Sequence, residues 1–294
     1  MNPELETDSQ PEDANDSLAF VRELNGEAQR TETPCGDGTM IWRSWGEGPP
    51  LVLLHGGAGA WNHWVYTVRA FSDTRRVIAP DLPGLGESAD APQPPTMATI
   101  AGIVARGIDQ LIGPQASYDL VGFSFGASVG GHVGLLHGAR MRSLTLVGAG
   151  GLIRPHTPMV HERVRDKTGA ARVEAHRTNL ARTIIADAAN IDELALAIQE
   201  WNVSRTRLDS PALIQKRPLA ESLPQLRIPV NAIWGERDQI AYYRLEDRVA
   251  ALRALYPNVE LRIVPSAGHW VAYEAPEAFN TTLAELLQRT SHGI

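Results

Sequence analysis

Short apolar blocks that alternate with longer helical stretches constrain the fold of this chain more than any other feature. Each block is bounded by Gly, Pro or Asp and is apolar enough to be buried on both faces. The six blocks are Leu51–Leu54, Arg76–Ala79, Tyr118–Gly122, Ser143–Val147, Val230–Trp234 and Leu261–Val264. This alternation predicts an α/β fold, with a mostly parallel sheet and helices on both of its faces.

Two earlier segments extend the predicted sheet to eight strands. Glu27–Thr33 and Thr39–Trp45 show more polar alternation than the six blocks, which favours an antiparallel edge. The predicted helices are Met97–Ile112, Ala127–His137, Arg244–Leu255 and Pro276–Arg289.

One long stretch, residues 154–217, departs from this rhythm because it is Arg-rich, helical in pattern and without a strand-like block. We interpret it as a helical cap inserted into a core domain formed by residues 20–153 and 218–294. Residues 1–19 contain six acidic side chains and no Lys or Arg, so they are expected to form a disordered, solvated tail.

Composition restricts the partners and the compartment. The formal net charge of −7 provides no field that would attract nucleic acid or anionic lipid. The chain has no apolar run long enough to cross a bilayer and no secretory signal at its start, so we expect no membrane association. Cys35 is the only cysteine, which favours a reducing, cytoplasmic location. A homodimer is compatible with the sequence.

A G-x-S-x-G pentapeptide occupies residues 122–126, directly after an apolar block and directly before a helix rich in Gly and Ala. A strand-to-helix turn this tight strains the central residue and raises its side chain above the sheet edge. A simple Gly-containing turn is the alternative, and the strand and helix on either side argue against it. Ser124 is therefore predicted to be a nucleophile.

A serine hydroxyl needs a base, and the base needs an orienting acid. His269 follows the last block and Asp238 follows the preceding one, so both lie where parallel strands end at one edge of a sheet. We predict His269 as the general base and Asp238 as the acid. Glu236 and Asp247 are weaker candidates for the acid, because one sits early in the turn and the other lies in a predicted helix.

The predicted oxyanion donors are the backbone N–H groups of Gly57 and Phe125. Gly57 lies in the Gly-rich loop 55–59, which follows a strand and allows close backbone approach. This loop lacks the glycine spacing of a dinucleotide site and the lysine of a P-loop. No metal-ligand spacing occurs among the nine histidines, so we expect neither a metal nor a cofactor.

A small-molecule substrate is expected to contact aromatic side chains around these loops. Trp61, Phe123, Trp201 and Trp270 are predicted to line the pocket. The function that these predictions favour is hydrolysis of a small to medium apolar carboxylic ester by a Ser-His-Asp triad.

Together these motifs resemble the α/β-hydrolase superfamily, over roughly Phe20 to Arg289. The resemblance includes HGG at 55–57, the turn at 81–88, the pentapeptide and the loops with Asp238 and His269. It implies the same triad, and a structural role for the turn at 81–88.

Within the superfamily, residues 56–61, 268–270 and 274–280 are most similar to meta-cleavage-product hydrolases, which break carbon–carbon bonds in 2-hydroxy-6-oxo-dienoates, and to related esterases. Those hydrolases have Asn before the nucleophile and an arginine in the cap. This chain has Phe123 at the first position, and Gln199–Asn202 at the second, with Arg205 and Arg207 close behind. Carbon–carbon hydrolysis is thus one alternative function, and a ligand-binding receptor on a hydrolase scaffold is another.

Overall fold

A single eight-stranded sheet forms the centre of the protein. The computed structural model describes residues 12–154, 160–240 and 244–291. The strands are β1 (Gln29–Cys35), β2 (Gly38–Trp45), β3 (Pro50–Leu54), β4 (Arg76–Pro80), β5 (Tyr118–Phe123), β6 (Met141–Val147), β7 (Val230–Gly235) and β8 (Glu260–Val264). Their order across the sheet is β1-β2-β4-β3-β5-β6-β7-β8.

The pairing of the strands confirms the predicted architecture. β1 pairs antiparallel with β2, and β2 pairs antiparallel with β4, which gives the expected antiparallel edge. The remaining pairs, from β4 through β8, are parallel. Every residue of β5 and of β7 is buried, as their continuous apolar sequences require.

Helices cover both faces of the sheet. They are α1 (Glu12–Glu27), α2 (Val65–Phe71), α3 (Met97–Ile112), α4 (Phe125–His137), α5 (Gly169–Thr183), α6 (Glu193–Ser204), α7 (Ser210–Ile214), α8 (Pro218–Ser222), α9 (Leu245–Leu255), α10 (Val271–Glu274) and α11 (Pro276–Ser291). Val52 and Leu54 of β3 belong to one apolar cluster, and Leu51 and Leu53 belong to another. Successive strand residues point to opposite faces, so the sheet separates two cores.

The N-terminal helix α1 is a difference from the predicted acidic tail. It begins at Glu12, so residues 12–19 are helical, while residues 1–11 lie outside the described part of the chain. Leu24 of α1 is buried, and its carbonyl accepts a hydrogen bond of 2.7 Å from Trp45 Nε1. This burial ties the end of α1 to the core.

Between β6 and β7 the chain forms α5 to α8, and no strand occurs in the described residues of the 154–217 stretch. Residues 155–159 of the predicted cap lie outside the described ranges. Long-range hydrogen bonds hold the segment to the sheet loops. For example, Leu208 N–H donates to Gly84 O at 3.1 Å, and Trp270 N–H donates to Ile184 O at 2.9 Å. In the ranges that the structure covers, no helix combines the length and apolar character that crossing a membrane requires.

Candidate active site

Ser124 occupies a strained turn between β5 and α4. Its backbone angles are φ 50° and ψ −105°, a conformation that a residue with a side chain rarely adopts. The turn is possible because its flanking glycines approach other backbone closely. A Cβ added to Gly122 would lie 2.5 Å from Gly126 O, and one added to Gly126 would lie 2.4 Å from Leu54 O. The strain of about 1–3 kcal/mol is the type that marks functional turns.

His269 and Asp238 form a buried hydrogen-bonded pair. His269 Nδ1 lies 2.7 Å from Asp238 Oδ2, and the two residues are 2% and 1% exposed. The other carboxylate oxygen, Oδ1, accepts a hydrogen bond of 2.9 Å from Ile240 N–H. A carboxylate at Nδ1 places the ring proton there, because an ionised carboxylate only accepts hydrogen bonds. Nε2 of His269 is then the basic nitrogen.

The imidazole of His269 lies beside the serine turn. Its ring centroid is 4.9 Å from that of Phe123, the residue that precedes Ser124. Gly148, just beyond β6, packs so closely that an added Cβ would be 3.0 Å from Nδ1 of the imidazole. The ends of β5, β6, β7 and β8 therefore bring the three residues of the predicted triad to one edge of the sheet.

The two weaker acid candidates face other groups. Glu236 accepts a hydrogen bond of 2.9 Å from Ser266 N–H on the exposed surface. Asp247 of α9 forms an ion pair with Arg244, the residue just before that helix. Among the three carboxylates considered, the imidazole contact is made by Asp238.

Gly57 and Phe125, the predicted oxyanion donors, lie next to each other. A Cβ added to Gly57 would be 3.8 Å from Phe125 Cβ. Phe125 is the first residue of α4, so its N–H has no partner within the helix. This N–H lies at the positive end of the helix dipole, which favours a negatively charged acceptor. The neighbouring Gly56 N–H already donates to His63 Nδ1 at 3.3 Å. Gly57 therefore stays the predicted donor of this pair of glycines.

His55 holds the Gly-rich loop against the turn at 81–88. Its Nε2 accepts a hydrogen bond of 2.8 Å from Leu82 N–H, and its Nδ1 donates to Gly56 O at 2.7 Å. Complete burial lowers the pKa of His55 from the usual 6.5 to about 4, against the opposing effect of Asp81. The neutral ring is required, since a protonated Nε2 has no lone pair for Leu82 N–H.

Asp81 supports the same loop from the other side. Its carboxylate accepts hydrogen bonds from Trp61 N–H at 2.9 Å and Glu87 N–H at 3.0 Å, and it pairs with Arg43 at 3.2 Å. All of these partners are structural groups, in agreement with the structural role expected for the turn.

The pKa of His55 leads to a prediction about acid stability. The unfolded chain binds a proton at this histidine below about pH 6.5, while the folded protein resists it until about pH 4. The contribution of His55 to folding is therefore present at neutral pH and is lost as the pH falls through this window. We expect a loss of about 2 kcal/mol between pH 7 and pH 5.

The measurement is urea unfolding of the wild type and His55→Asn at several pH values, because Asn does not titrate in this range. The pH dependence of the unfolding free energy should be shallower in the variant by about that amount. Parallel curves for the two proteins would contradict the proposed burial of a neutral imidazole.

The four predicted lining aromatics occupy different surroundings. Phe123 and Trp270 pack against His63, with ring centroids 5.5 and 5.0 Å away. Trp61 is 2% exposed and packs against Trp45 and Arg43. Trp201 on α6 is partly buried and stacks under the guanidinium of Arg205. The contacts therefore place Phe123 and Trp270 beside the histidines of the site.

Three further residues around the site were not predicted from the sequence. Ser210 of α7 lies against Gly57, where an added Cβ would be 2.3 Å from its Oγ. Glu274 accepts hydrogen bonds from Gly268 N–H at 2.7 Å and from Asp187 N–H at 2.8 Å, so it joins the His269 loop to the segment between α5 and α6. His63 accepts from Gly56 N–H.

Within residues 12–154, 160–240 and 244–291, no group of three or more His, Cys, Asp or Glu side chains is arranged to hold a metal ion.

The sheet order and the strained serine turn define the class of this protein. The chain belongs to the alpha/beta hydrolase fold family, whose model matches residues 49–276. It is a hydrolase-family enzyme with relatives of more than one activity.

One curated relative is the dihydrolipoyllysine-residue acetyltransferase component of the acetoin cleaving system of Pseudomonas putida, 29% identical over 82% of this chain. This chain spans 64% of that relative's length. Another is a 2-hydroxy-6-oxo-6-phenylhexa-2,4-dienoate hydrolase of Burkholderia cepacia, 25% identical over 82% of this chain and 88% of the relative. Among solved structures, a thermophilic esterase from Thermogutta terrifontis superposes with a TM-score of 0.70, at 25% identity, over 90% of this chain and 99% of that one.

Proposed function

We propose that this protein is a serine esterase that hydrolyses small to medium, uncharged carboxylic esters. The observation that carries the proposal is the buried His269–Asp238 pair, joined at 2.7 Å, beside a serine in a strained strand-to-helix turn. This combination supplies the base and the orienting acid that a serine hydroxyl requires.

In the proposed mechanism His269 Nε2 takes the proton from Ser124 Oγ as the oxygen attacks the ester carbonyl. The oxyanion accepts hydrogen bonds from the N–H groups of Gly57 and Phe125. The imidazolium of His269, stabilised by Asp238, then gives its proton to the departing alkoxide, which leaves as the alcohol. A water molecule, deprotonated by the same imidazole, attacks the acyl-enzyme carbonyl. As the tetrahedral intermediate collapses, the imidazolium returns its proton to Ser124 Oγ and the carboxylic acid leaves.

We further propose that residues 154–217 act as a cap over this site. Ser210 lies against Gly57, and Ile214 lies against Gly150, the residue whose N–H donates to Ser124 O at 3.2 Å. Contacts of the α7 helix on both sides of the serine turn favour an enclosed acyl pocket rather than an open groove.

The direct test is a panel of p-nitrophenyl esters of graded acyl length, together with a dienoate ring-cleavage analogue. We expect saturable hydrolysis of the esters and negligible loss of the yellow colour of the dienoate. Binding of esters without turnover would contradict the proposal and favour a ligand-binding receptor on the same scaffold.

Carbon–carbon hydrolysis is the second candidate function, favoured by the Burkholderia cepacia relative, whose name describes a dienoate hydrolase. Its substrate carries a carboxylate, which is costly to bury without a cationic partner. Arg205 stacks on Trp201 and donates to its carbonyl, and Arg207 pairs with Asp90 and donates to Ser88 O. Both guanidinium groups are therefore already engaged by protein partners.

Substitution of these arginines separates the two functions. Arg205→Ala and Arg207→Ala should each leave kcat/KM for neutral esters within about threefold of wild type, or about 0.65 kcal/mol, because neither is expected to touch the substrate. Steady-state kinetics on one ester and one dienoate check this. Efficient dienoate cleavage by wild type, with a loss of about a hundredfold in either variant, would make the carbon–carbon hydrolase the better assignment.

A further inference from the structure

His63 is a largely buried imidazole, and one of its ring nitrogens makes no hydrogen bond to the residues that the structure describes. The residue is 8% exposed. Its Nδ1 accepts the N–H of Gly56 at 3.3 Å, so in the neutral ring the proton must be on Nε2. Across the three described stretches of chain, Nε2 of His63 makes no hydrogen bond. The atom keeps some solvent access, so an oxygen atom of a ligand can reach it. A ligand that displaces water from this N–H without accepting its hydrogen bond leaves it unpaired, at a cost of about 1–3 kcal/mol.

The position of this donor is within the candidate active site. The Phe123 ring lies between two imidazoles, with centroid distances of 5.5 Å to His63 and 4.9 Å to His269. Gly56, the partner of Nδ1, adjoins the nucleophile, since a Cβ added to it would lie 3.4 Å from Ser124 Cβ. The backbone of His63 is also held, because its carbonyl accepts a hydrogen bond of 2.9 Å from Trp270 Nε1.

The charge state of His63 limits what it can recognise. Burial, together with the neighbouring His55 and His269, lowers the pKa of His63 well below its usual range. The ring is therefore a neutral donor at pH 7 and brings no positive charge to balance a carboxylate. An uncharged oxygen, such as a ketone carbonyl or a hydroxyl, is the acceptor that matches a neutral N–H.

We propose that His63 is a specificity-determining residue whose Nε2–H donates to a second, uncharged oxygen of the ester substrate, close to the scissile carbonyl. The proposal rests on the esterase function above and narrows its substrates to oxo- or hydroxy-substituted esters. An analogue that lacks the acceptor is discriminated against, because its binding displaces water from this donor and leaves the N–H unpaired.

The test compares esters that differ by one oxygen. The set is ethyl pentanoate, its 2-oxo, 3-oxo and 4-oxo derivatives, and 2-oxopropyl pentanoate, which carries the ketone on the alcohol side. For each oxo ester the kcat/KM is divided by that for ethyl pentanoate, and the ratio is compared between wild type and variants. Intrinsic differences in ester reactivity cancel in this comparison.

In His63→Phe, which retains an aromatic ring but has no donor, the ratio for the preferred oxo ester should fall at least about tenfold. His63→Gln keeps an N–H donor and an acceptor for Gly56. Its ratio should be at least about threefold higher than that of His63→Phe. The matched control is His132→Phe, since His132 is a partly buried histidine of α4 whose ring contacts Pro218 O. Its ratios should stay within about twofold of wild type.

The outcomes separate this proposal from the esterase function. Suppose that ethyl pentanoate is hydrolysed in a Ser124-dependent way, but the kcat/KM ratio of every oxo ester is the same in His63→Phe as in wild type. The role of His63 would then be overturned, while the esterase function would stand. Absence of any ester hydrolysis by the wild type would contradict the esterase function, and this inference with it.

A second measurement does not depend on the folding of a His63 variant. In Ser124→Ala, ¹⁵N spectra of the histidine side chains at pH 7 should show His63 as the neutral Nε2–H tautomer. Addition of the preferred oxo ester should shift its Nε2 resonance, whereas ethyl pentanoate should not. A protonated ring, an Nδ1–H tautomer, or equal shifts with both esters would overturn the proposal.

Discussion

Substitution of Ser124 by alanine should lower kcat for esters by on the order of 10⁴-fold or more, while the folded state persists. Ser124 contributes its nucleophilic oxygen, and its strained backbone is held independently of the side chain: its N–H donates to Val147 O at 2.8 Å. Removal of Oγ therefore removes the chemistry without removing a core contact. The oxyanion donors and the pocket would retain a small residual rate over the uncatalysed reaction.

A fluorophosphonate probe and thermal unfolding measure this prediction. The probe should label the wild type at one serine and leave Ser124→Ala unlabelled, with both proteins unfolding cooperatively within a few degrees of each other. Ser128, on the helix that follows Ser124, provides a matched control, because its Oγ donates to Gly150 O at 2.9 Å and it is fully buried. Ser128→Ala should remain labelled. Equal labelling of wild type and Ser124→Ala would disprove the assignment of the nucleophile.

Asp238→Asn should lower kcat by about 10⁴-fold, similar to the same change in the serine-protease triad. An asparagine amide would donate to Nδ1 of His269, so the imidazole would carry its proton on Nε2 and lose its role as a base. The geometry supports this, because the 2.7 Å contact lies in a region where both side chains are almost fully buried.

Glu236→Gln is the matched control for Asp238→Asn, since Glu236 lies two residues earlier in the same loop. Its carboxylate accepts the N–H of Ser266, and a glutamine oxygen would keep that bond. The expected change in kcat is below about threefold. Measured kcat values for both variants on one ester decide the question: a large loss in Glu236→Gln with a small loss in Asp238→Asn would identify Glu236 as the acid.

The sequence by itself determined the architecture of the sheet, because short buried strands have an unambiguous pattern. All eight strands occur where apolar blocks or alternating segments predict them, and α3 has the predicted ends, Met97 and Ile112. The start of that helix is locally encoded, since the side chain of Thr96 accepts the N–H of Thr99 at 3.0 Å. Parallel strands also require their following loops to meet at one edge, which is why Asp238 and His269 were predictable as neighbours.

The tertiary structure alone decided which polar groups complete the site. Glu274 joins two loops through the backbone N–H groups of Gly268 and Asp187, which are 6 and 87 residues away in the chain. His63 acquires its tautomer from Gly56, and its ring packs against Phe123 and Trp270. No periodicity encodes such contacts, because buried donors and acceptors find partners wherever the packed chain places them. The hydrogen-bond partners within the site therefore emerge only when the sheet, its loops and the 154–217 segment are packed together.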